Sequence, residues 1–290
     1  SIYASKRPKI HRVQGPSGGG LVGSTVIPGT GGALAFANPL VSAAGGGDNG
    51  DPSHGFDVIY GDGSGGAGSN LALLPAVDYT PPNLSHFTSA DHWFGGDLTQ
   101  LSTGWLGRFL DAYGSASNPL QGISLGGSLS KALRTASAPV CTIDTSHFAN
   151  LGFRVMPSAA AYTVQPNALI ERIAAVPAGT GNAHLARVRA SYQLATGVYD
   201  QLSSLGSPAL GSGYPTTGSL SRSLQLAAFL ASAGLGTRVI TINWGSFDTH
   251  GNQLTQQDPQ LAELSRALSA FLADLKARNI DDRVSVLTFS

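Results

Sequence analysis

With 290 residues, the chain is long enough for one large domain or two small ones, and it can bury a sizeable core. Its 17 Lys and Arg residues balance its 17 Asp and Glu residues, so no global field favours nucleic acid or an anionic membrane surface as a partner. No apolar run reaches the length of about 18 residues that a membrane-spanning helix needs. The single cysteine, Cys141, excludes an internal disulfide and a thiolate zinc cluster, and we interpret it as a small buried apolar side chain.

The first third of the chain is rich in glycine, with clusters at 18–20, 45–47 and 63–68 inside the segment 11–80. Clusters of this kind mark turns and loops. Between them, the short apolar run Phe56–Tyr60 has the length of a strand. The sequence therefore predicts an irregular N-terminal region with one or two strands.

The C-terminal third has a clear pattern of helices and strands. Apolar residues at helical spacing predict a helix over 219–233, and a short β-branched run predicts a buried strand over 238–244. A second helix is expected to begin at Asp258-Pro259, followed by a second buried strand over 283–289. A strand, a helix and a strand in this order predict parallel strands with a right-handed crossover. The fold class is therefore α/β, with a mostly parallel sheet flanked by helices.

The first candidate site follows the predicted strand 238–244. Open parallel sheets bind ligands at the edge where the carboxyl ends of the strands meet. In an extended segment alternate residues face the same way, so Asp248 and His250 can present a carboxylate and an imidazole to one point. These groups are good ligands for a divalent metal ion. The alternative is that Asp248 caps the following turn beside an unrelated histidine.

The second candidate is the pair Ser85 and His86, which precedes an apolar and aromatic stretch. A serine at a helix N-terminus holds its hydroxyl beside unpaired backbone N–H groups, which stabilise a transferred phosphoryl or sulfuryl group. A base or a metal is needed to activate such a serine as a nucleophile. The same position equally suits an ordinary helix cap.

Two further motifs match by their letters. Residues 122–126 have the Gly-x-Ser-x-Gly pattern of the α/β-hydrolase nucleophile elbow, with Ser124 as the nucleophile, but 118–121 is a poor sequence for the strand that must precede it. The other members of its triad would be His250 or His184 and Asp200 or Asp248. Residues 63–68 match a dinucleotide-binding fingerprint after a strand-like run, but no clear helix or acidic residue completes the unit, and we interpret them as a flexible loop.

A set of short stretches, taken in chain order, resembles a known family. The stretches are Asn83-Leu-Ser-His-Phe87 with Asp91 and Trp93, Gly104-Trp-Leu-Gly-Arg-Phe-Leu110, Ser124-Leu-Gly-Gly127, Tyr214-Pro215, Ala233-Gly-Leu-Gly-Thr-Arg238, Phe247-Asp-Thr-His250 and Leu287-Thr-Phe-Ser290. The set resembles a bacterial domain-of-unknown-function family, numbered fifteen-oh-one, within the alkaline-phosphatase and sulfatase superfamily. The resemblance covers 83–135 and 214–290.

This resemblance implies an exported or periplasmic protein with the three-layer, sulfatase-like arrangement of a parallel sheet flanked by helices. It also implies metal-assisted hydrolysis of a phosphate or sulfate ester, with a small-molecule or glycan ester as the substrate. Ser85 would lie near the nucleophile position with His86 beside it, and Asp248 and His250 would hold a divalent metal ion such as zinc, manganese or calcium. The formylglycine signature, Cys or Ser followed by x-Pro-x-Arg, occurs nowhere in the sequence, so that mechanism is not supported.

The chain departs from the family pattern at both ends. The family opens with a Gly-Gly-x-Asp-Gly segment ahead of a Tyr…Arg-Pro segment, and here Tyr3 and Arg7-Pro8 already stand at the start. Residues 46–49 resemble the missing segment in letters, but we interpret them as a loop. The family also continues past Thr-Phe-Ser290 into further site elements. The sequence therefore indicates one incomplete domain over 1–290, which we expect to be inactive alone.

Two other functions stay open at this point. The first is a catalytically silent exported binding or assembly protein that keeps the scaffold without the chemistry, because a fold does not fix a function. The second is a serine esterase that uses Ser124.

Overall fold

The computed structural model of the protein describes residues 2–4, 24–26, 34–61, 71–72, 74, 77, 79–81, 83, 85–145, 172, 175, 183–205, 209–245, 247 and 253–289. Within these residues the fold is α/β, with a three-stranded parallel sheet, a three-stranded antiparallel sheet and six α-helices. The α/β class predicted from the sequence is therefore confirmed, while half of the described strands form an antiparallel sheet that the sequence did not predict.

The six strands divide equally between the two sheets. They are β1 (Ile2–Ala4), β2 (Ser24–Val26), β3 (Leu34–Ala37), β4 (Gly122–Leu125), β5 (Cys141–Ile143) and β6 (Val239–Ile242). The first three form the antiparallel sheet in the order β1-β3-β2, and the last three form the parallel sheet in the order β5-β4-β6. Two strands, β2 and β3, lie in the described part of the segment 11–80, which agrees with the one or two that the sequence predicted, and β1 precedes that segment.

The helices are α1 (Phe56–Tyr60), α2 (His86–Gly95), α3 (Trp105–Tyr113), α4 (Ala183–Ser204), α5 (Ser219–Ser232) and α6 (Gln253–Ala277). Short 3-10 turns cover Asn38–Leu40, Pro119–Gln121, Lys131–Leu133 and Asp281–Arg283. The chain forms two compact units. The first comprises Ser1–Asn83, Gly211–Ala228 and Trp244–Phe289, and the second comprises Leu84–Leu210 and Phe229–Asn243.

The core of the first unit includes β3, α1 and α6. The Phe36 ring is buried and makes edge contacts with the rings of Phe56 and Tyr60, at centroid distances of 5.8 and 6.1 Å. On α6, the hydroxyl of Ser265 donates a hydrogen bond to the carbonyl oxygen of Leu40 at 2.5 Å. A small side chain at this position of α6 therefore lets the helix pack closely against the 38–40 turn.

The run Phe56–Tyr60 is a helix, so the strand expected there is wrong. Phe56 and Ile59 are buried, while the Val58 side chain is 51% exposed. A strand would place Phe56 and Val58 on one face, whereas a helix groups residues three and four apart, which is the observed burial. The ring that Phe56 and Tyr60 contact, that of Phe36, is remote in sequence, so the local pattern alone does not reveal that this segment is a helix.

The core of the second unit lies against the parallel sheet. Leu110 of α3 and Leu133 are buried together, with Val140 and Val239 packed against them. A Cβ atom on Gly122 of β4 would come within 2.6 Å of a methyl group of Leu110, so glycine lets α3 approach this face of the sheet. The next residue, Ile123, faces the opposite side and is also fully buried. The central strand is therefore buried on both faces, as parallel strands usually are.

Three of the four elements predicted in the C-terminal third are present. The helix expected over 219–233 is α5, and the strand expected over 238–244 is β6, shortened to four residues. The next helix, α6, begins at Gln253 and contains Pro259, so the start predicted at Asp258-Pro259 is wrong. Proline removes one backbone hydrogen bond and strains the preceding turn, but in this long helix it does not mark the first turn.

The strand predicted over 283–289 does not form within the described residues. Val284 has extended backbone angles, with φ −119° and ψ 123°, but the following residues join neither sheet. The Leu287 side chain is 60% exposed, which also contradicts the expected burial. A strand needs a hydrogen-bonded neighbour as well as suitable residues. The crossover expected between 238–244 and 283–289 is therefore not observed, and β6 pairs in parallel with β4 instead.

Asp111 in the last turn of α3 closes the loop that leads to β5. Its carboxylate accepts hydrogen bonds from the backbone N–H groups of Ala136, Ser137 and Ala138, at 2.7, 2.9 and 2.8 Å. Burial acts to raise the pKa of Asp111, but these N–H donors act to lower it, and the net pKa lies below its ordinary value.

We expect Asp111→Asn to lower the free energy of unfolding by about 1 kcal/mol at pH 7, because the amide has only one acceptor oxygen for these donors. A lowered carboxyl pKa contributes stability that is complete above the unfolded-state pKa of about 3.9 and is lost as the pH falls through the folded-state value. Urea unfolding should therefore show a difference between the two proteins at pH 7 that shrinks below about pH 4. A difference that is constant with pH would contradict this account.

Candidate functional site

Ser85 lies at the N-terminus of α2, where the sequence predicted it. It is the residue that caps the helix, with extended backbone angles, and its Oγ accepts a hydrogen bond from the backbone N–H of Thr88 at 3.4 Å. The residue is exposed to solvent. The geometry therefore satisfies the ordinary capping interpretation, and it also leaves the side chain of Ser85 accessible to a ligand.

His86 is the first residue of α2, and its side chain is exposed. The next residue, Phe87, is 84% exposed, so both side chains face solvent at this end of the helix. The first N–H groups of an α-helix lack partners within the helix, and the helix dipole is positive there. Ser85 and His86 therefore stand together in a place that favours negative charge.

The rest of α2 is fixed within the second unit. Asp91 forms an ion pair with Lys131, and Arg108 of α3 donates a hydrogen bond to the carbonyl oxygen of Gly95 at 2.5 Å. Arg108 also donates to the carbonyl oxygen of Thr103 at 3.1 Å. The end of α2 that carries Ser85 thus belongs to a helix held at its middle and at its C-terminus.

Asp248 and His250 lie outside the described residues. The structure describes the strand that leads towards them, β6, and the turn that begins after it. In this turn Gly245 has a φ of +82°, and the rings of Trp244 and Phe247 make an edge contact with a centroid distance of 5.7 Å. The predicted metal-ligand pair therefore follows a confirmed parallel strand in the sequence, and its geometry stays a prediction.

Ser124 lies within β4 rather than on a strand-to-helix turn. It is buried, its hydroxyl donates a hydrogen bond to the carbonyl oxygen of Ser128, and it accepts one from the backbone N–H of Ser130, both at 3.0 Å. A nucleophile elbow needs an exposed hydroxyl between a strand and a helix. Here, by contrast, residues Gly122–Leu125 of the motif form the strand itself. A 3-10 turn, Pro119–Gln121, precedes this strand and a loop follows it. This geometry does not favour Ser124 as a nucleophile.

We expect a fluorophosphonate probe to leave Ser124 unlabelled, because its hydroxyl is buried and already engaged in two hydrogen bonds. The measurement is intact mass followed by peptide mapping, with a known serine hydrolase in the same reaction as the positive control. Labelling of Ser124 in the folded protein would overturn this expectation and restore the esterase interpretation.

The glycine-rich run 63–68 lies outside the described residues. The residues before it form helix α1, although a dinucleotide-binding fingerprint must follow a strand. The strand-like run on which that match depended is therefore absent, and the match loses its structural context. Residues 46–49 lie in a turn and loop, as the sequence predicted.

Cys141 is the first residue of β5 and is partly buried. Burial raises the pKa of its thiol to about 12, so the sulfur stays protonated at neutral pH. This agrees with its interpretation as a small apolar side chain.

Sequence reasoning overlooked the residues at the carboxyl end of the parallel sheet. Leu125 of β4 stands level with Ile143 of β5 and Ile242 of β6. The residues directly after these strands are Gly126, Asp144 and Asn243. The signal that could have revealed them is a polar or glycine residue directly after each of three short apolar strands.

The described part of the chain contains no group of three or more His, Cys, Asp or Glu side chains placed to hold a metal ion. None of its helices combines the length and the apolar character needed to cross a membrane.

These observations define an α/β protein with a short parallel sheet and an exposed serine at a helix N-terminus. Residues 222–290 match the model of a family described as a protein of unknown function, DUF1501. The match supports membership of that family, and it covers most of α5, all of β6 and the segment with Asp248 and His250. Searches of curated proteins and of solved structures gave no match.

Proposed function

We propose that the protein is a metal-dependent hydrolase of phosphate or sulfate esters, of the alkaline-phosphatase and sulfatase kind. The observation that carries the proposal is that Asp248 and His250 follow the parallel strand β6 in the sequence, inside the family match. Carboxyl ends of parallel strands are where α/β proteins bind their ligands. The matched family has no assigned function, so the chemistry is argued from the residues.

The donor groups suit a metal ion. A carboxylate and a neutral imidazole are common ligands of zinc and manganese, and calcium accepts the carboxylate. A metal centre usually needs at least three protein ligands, so Asp248 and His250 would supply part of the set. A bound divalent ion would polarise the ester oxygen and lower the pKa of an attacking hydroxyl group.

Ser85 is our candidate for the attacking hydroxyl. Its Oγ lies at the N-terminus of α2, where the helix dipole favours the negative charge of a phosphoryl or sulfuryl group. This Oγ accepts the hydrogen bond from the Thr88 N–H. The exposed imidazole of His86 stands next to it in sequence.

The sequence resemblance to the alkaline-phosphatase and sulfatase superfamily motivates three further proposals. We propose that the protein is exported or periplasmic, that its full fold has the three-layer arrangement of the superfamily, and that its substrate is a small-molecule or glycan ester.

A catalytically silent binding or assembly protein on the same scaffold is the rival proposal. The two differ in whether any phosphate or sulfate ester is hydrolysed.

The test uses the full-length product of the gene with p-nitrophenyl phosphate and p-nitrophenyl sulfate, in the presence of zinc, manganese or calcium. We expect metal-dependent hydrolysis that falls at least about a hundredfold in Ser85→Ala and in Asp248→Ala. Metal content should fall in Asp248→Ala and stay unchanged in Ser85→Ala, because only Asp248 is assigned as a ligand. Ser204→Ala, at the exposed C-terminus of α4, is the matched control and should keep full activity.

Two results would contradict the proposed hydrolase function. Hydrolysis that is unchanged in both Ser85→Ala and Asp248→Ala would exclude these residues from the chemistry. No hydrolysis of either ester with any of the three metals would favour the silent binding or assembly protein.

A further inference from the structure

Helix α2, which carries Ser85 at its N-terminus, has little anchorage in an apolar core. In the described part of the chain, Gly95 is the only buried residue of this helix, and its other residues are partly buried or exposed. Most helices in proteins are held by the apolar side chains that they bury. The direction of α2, and with it the position of Ser85, therefore depends strongly on polar contacts with its neighbours.

Two polar contacts join α2 to neighbouring elements of the second unit. At the C-terminus of the helix, Arg108 of α3 donates a hydrogen bond to the carbonyl oxygen of Gly95 at 2.5 Å. In the middle of the helix, Asp91 forms an ion pair with Lys131 of the 131–133 turn. Two attachment points along a rigid helix fix its direction, whereas a single point leaves it free to pivot. The contact with Lys131 is thus the one that opposes a tilt about Gly95.

The turn that carries Lys131 is itself firmly placed. Ala132 and Leu133, the next two residues, are buried. Ser130, which precedes Lys131, is buried as well, and its backbone N–H donates a hydrogen bond to the Ser124 Oγ of β4 at 3.0 Å. The buried hydroxyl of the Gly-x-Ser-x-Gly motif therefore holds this turn to the central strand of the parallel sheet. Lys131 extends from a fixed backbone towards a helix that has little anchorage of its own.

The distance along α2 amplifies any change in its direction. An α-helix rises about 1.5 Å per residue, so Ser85 lies roughly 9 Å along the axis from Asp91 and roughly 15 Å from Gly95. A tilt of about 10° about Gly95 would move Ser85 by roughly 2–3 Å. Misplacement of a reacting group by about 1 Å can lower a reaction rate by about a hundredfold. A modest loss of orientation would therefore have a large effect on an attack by Ser85.

We propose that Lys131 is a positioning residue for Ser85. Its ion pair with Asp91 sets the direction of α2, and the direction of α2 sets the position of the candidate nucleophile. The catalytic consequence rests on the proposed hydrolase function, whereas the hold of Lys131 on α2 does not. A lysine can also bind a phosphate or sulfate group directly, and the kinetic constants of suitable variants separate these two roles.

The kinetic test uses the full-length protein with p-nitrophenyl phosphate and p-nitrophenyl sulfate. In Lys131→Met we expect kcat to fall at least about tenfold while KM stays within about twofold, because the attacking hydroxyl is misplaced and the groups that bind the substrate remain. The exchanged pair, Asp91→Lys with Lys131→Asp, should recover most of the lost rate, because opposite charges again face each other. Lys276→Met, at an exposed position of α6, is the matched control and should change neither constant.

A second measurement does not require hydrolysis. A helix of 10 residues is marginally stable without tertiary contacts, so loosening α2 should expose its amide groups. We expect hydrogen–deuterium exchange of residues 89–95 to be about two- to fivefold faster in Lys131→Met and to slow again in the exchanged pair. The urea midpoint should move by at most about 0.5 M, because the ion pair is partly exposed, so global unfolding does not explain a loss of rate.

Two outcomes would overturn this role for Lys131. One is exchange of residues 89–95 that is equal in the unchanged protein and in Lys131→Met. The other is a rise in KM that the exchanged pair does not reverse, which would assign Lys131 to substrate binding. If the unchanged protein hydrolyses neither ester, the proposed hydrolase function fails, while the exchange measurement still supports or overturns the hold of Lys131 on α2.

Discussion

Replacing Gly107 by alanine should destabilise the second unit by about 3 kcal/mol, although alanine is the better helix former. Gly107 is the third residue of α3, and a Cβ atom on it would lie 1.8 Å from the carbonyl oxygen of Arg134 and 2.4 Å from its carbonyl carbon. Both of these atoms belong to the backbone, so no side chain can rotate away. The helix would have to move from the loop after the 131–133 turn, and the contact of Leu110 with Leu133 would be lost with it.

The matched control is Gly197→Ala, in the middle of α4 with nothing within 4 Å of the added atom. Without a clash, exchange of glycine for alanine inside a helix raises stability by roughly 0.5–1 kcal/mol. Urea and thermal unfolding followed by circular dichroism should therefore move the two variants in opposite directions. Equal midpoints for both variants would show that α3 does not approach Arg134 as closely as the structure describes.

The sequence predicts best those helices and strands whose own residues show a clear spacing or composition for that secondary structure. Helix α5 is found almost to the residue, because its apolar residues recur at helical spacing over more than three turns. Strand β6 is found because a short β-branched run between glycines admits few alternatives. In both cases the local preference and the tertiary environment agree.

Prediction fails where a remote partner decides the conformation. Phe56–Tyr60 has the composition of a strand, but its side chains pack as a helix against the ring of Phe36. Residues 284–289 have the composition of a strand as well, but join neither sheet in the described chain. The composition of a segment shows which secondary structure it can adopt, but the neighbouring strand or side chain that stabilises one choice lies elsewhere in the sequence.

The candidate site residues also differ in whether local sequence or long-range structure determines their position. The position of Ser85 at a helix N-terminus is a local property, and the structure confirms it. The placement of Gly126, Asp144 and Asn243 at one level depends on the register of three strands that are far apart in sequence, so no motif reveals it. The pairing of Asp248 and His250 at a metal ion depends on similar long-range geometry and stays a prediction.

The buried acidic group of the first unit gives the second large effect. Asp274 lies on α6, and only 4% of its side chain is exposed. Its carboxylate accepts hydrogen bonds from the Tyr214 hydroxyl at 3.1 Å and from the Arg278 Nε at 2.8 Å. Burial and the charge of Asp274 raise the pKa of Tyr214, so its hydroxyl stays protonated and remains a donor. A Cβ atom on Gly211 would lie 2.3 Å from the carboxylate, so the backbone also encloses it.

We expect Asp274→Leu to lower the free energy of unfolding by about 3–5 kcal/mol, because it removes the acceptor of the buried Tyr214 hydroxyl and the acceptor of the Nε–H of the largely buried Arg278. The matched control is Asp91→Leu, which breaks the ion pair with Lys131, whose side chains are 37% and 41% exposed. An exposed pair of this kind contributes at most about 1 kcal/mol.

Tyr214→Phe separates the two interactions of Asp274. Alone it should cost about 1 kcal/mol, because one buried hydrogen bond is lost, and in the Asp274→Leu background it should cost almost nothing, because the hydroxyl no longer has an acceptor. Urea unfolding of the four proteins gives this coupling directly. If Asp274→Leu costs no more than Asp91→Leu, then solvent reaches Arg278 and Tyr214 easily, and the enclosed carboxylate contributes no more than an ion pair at the surface.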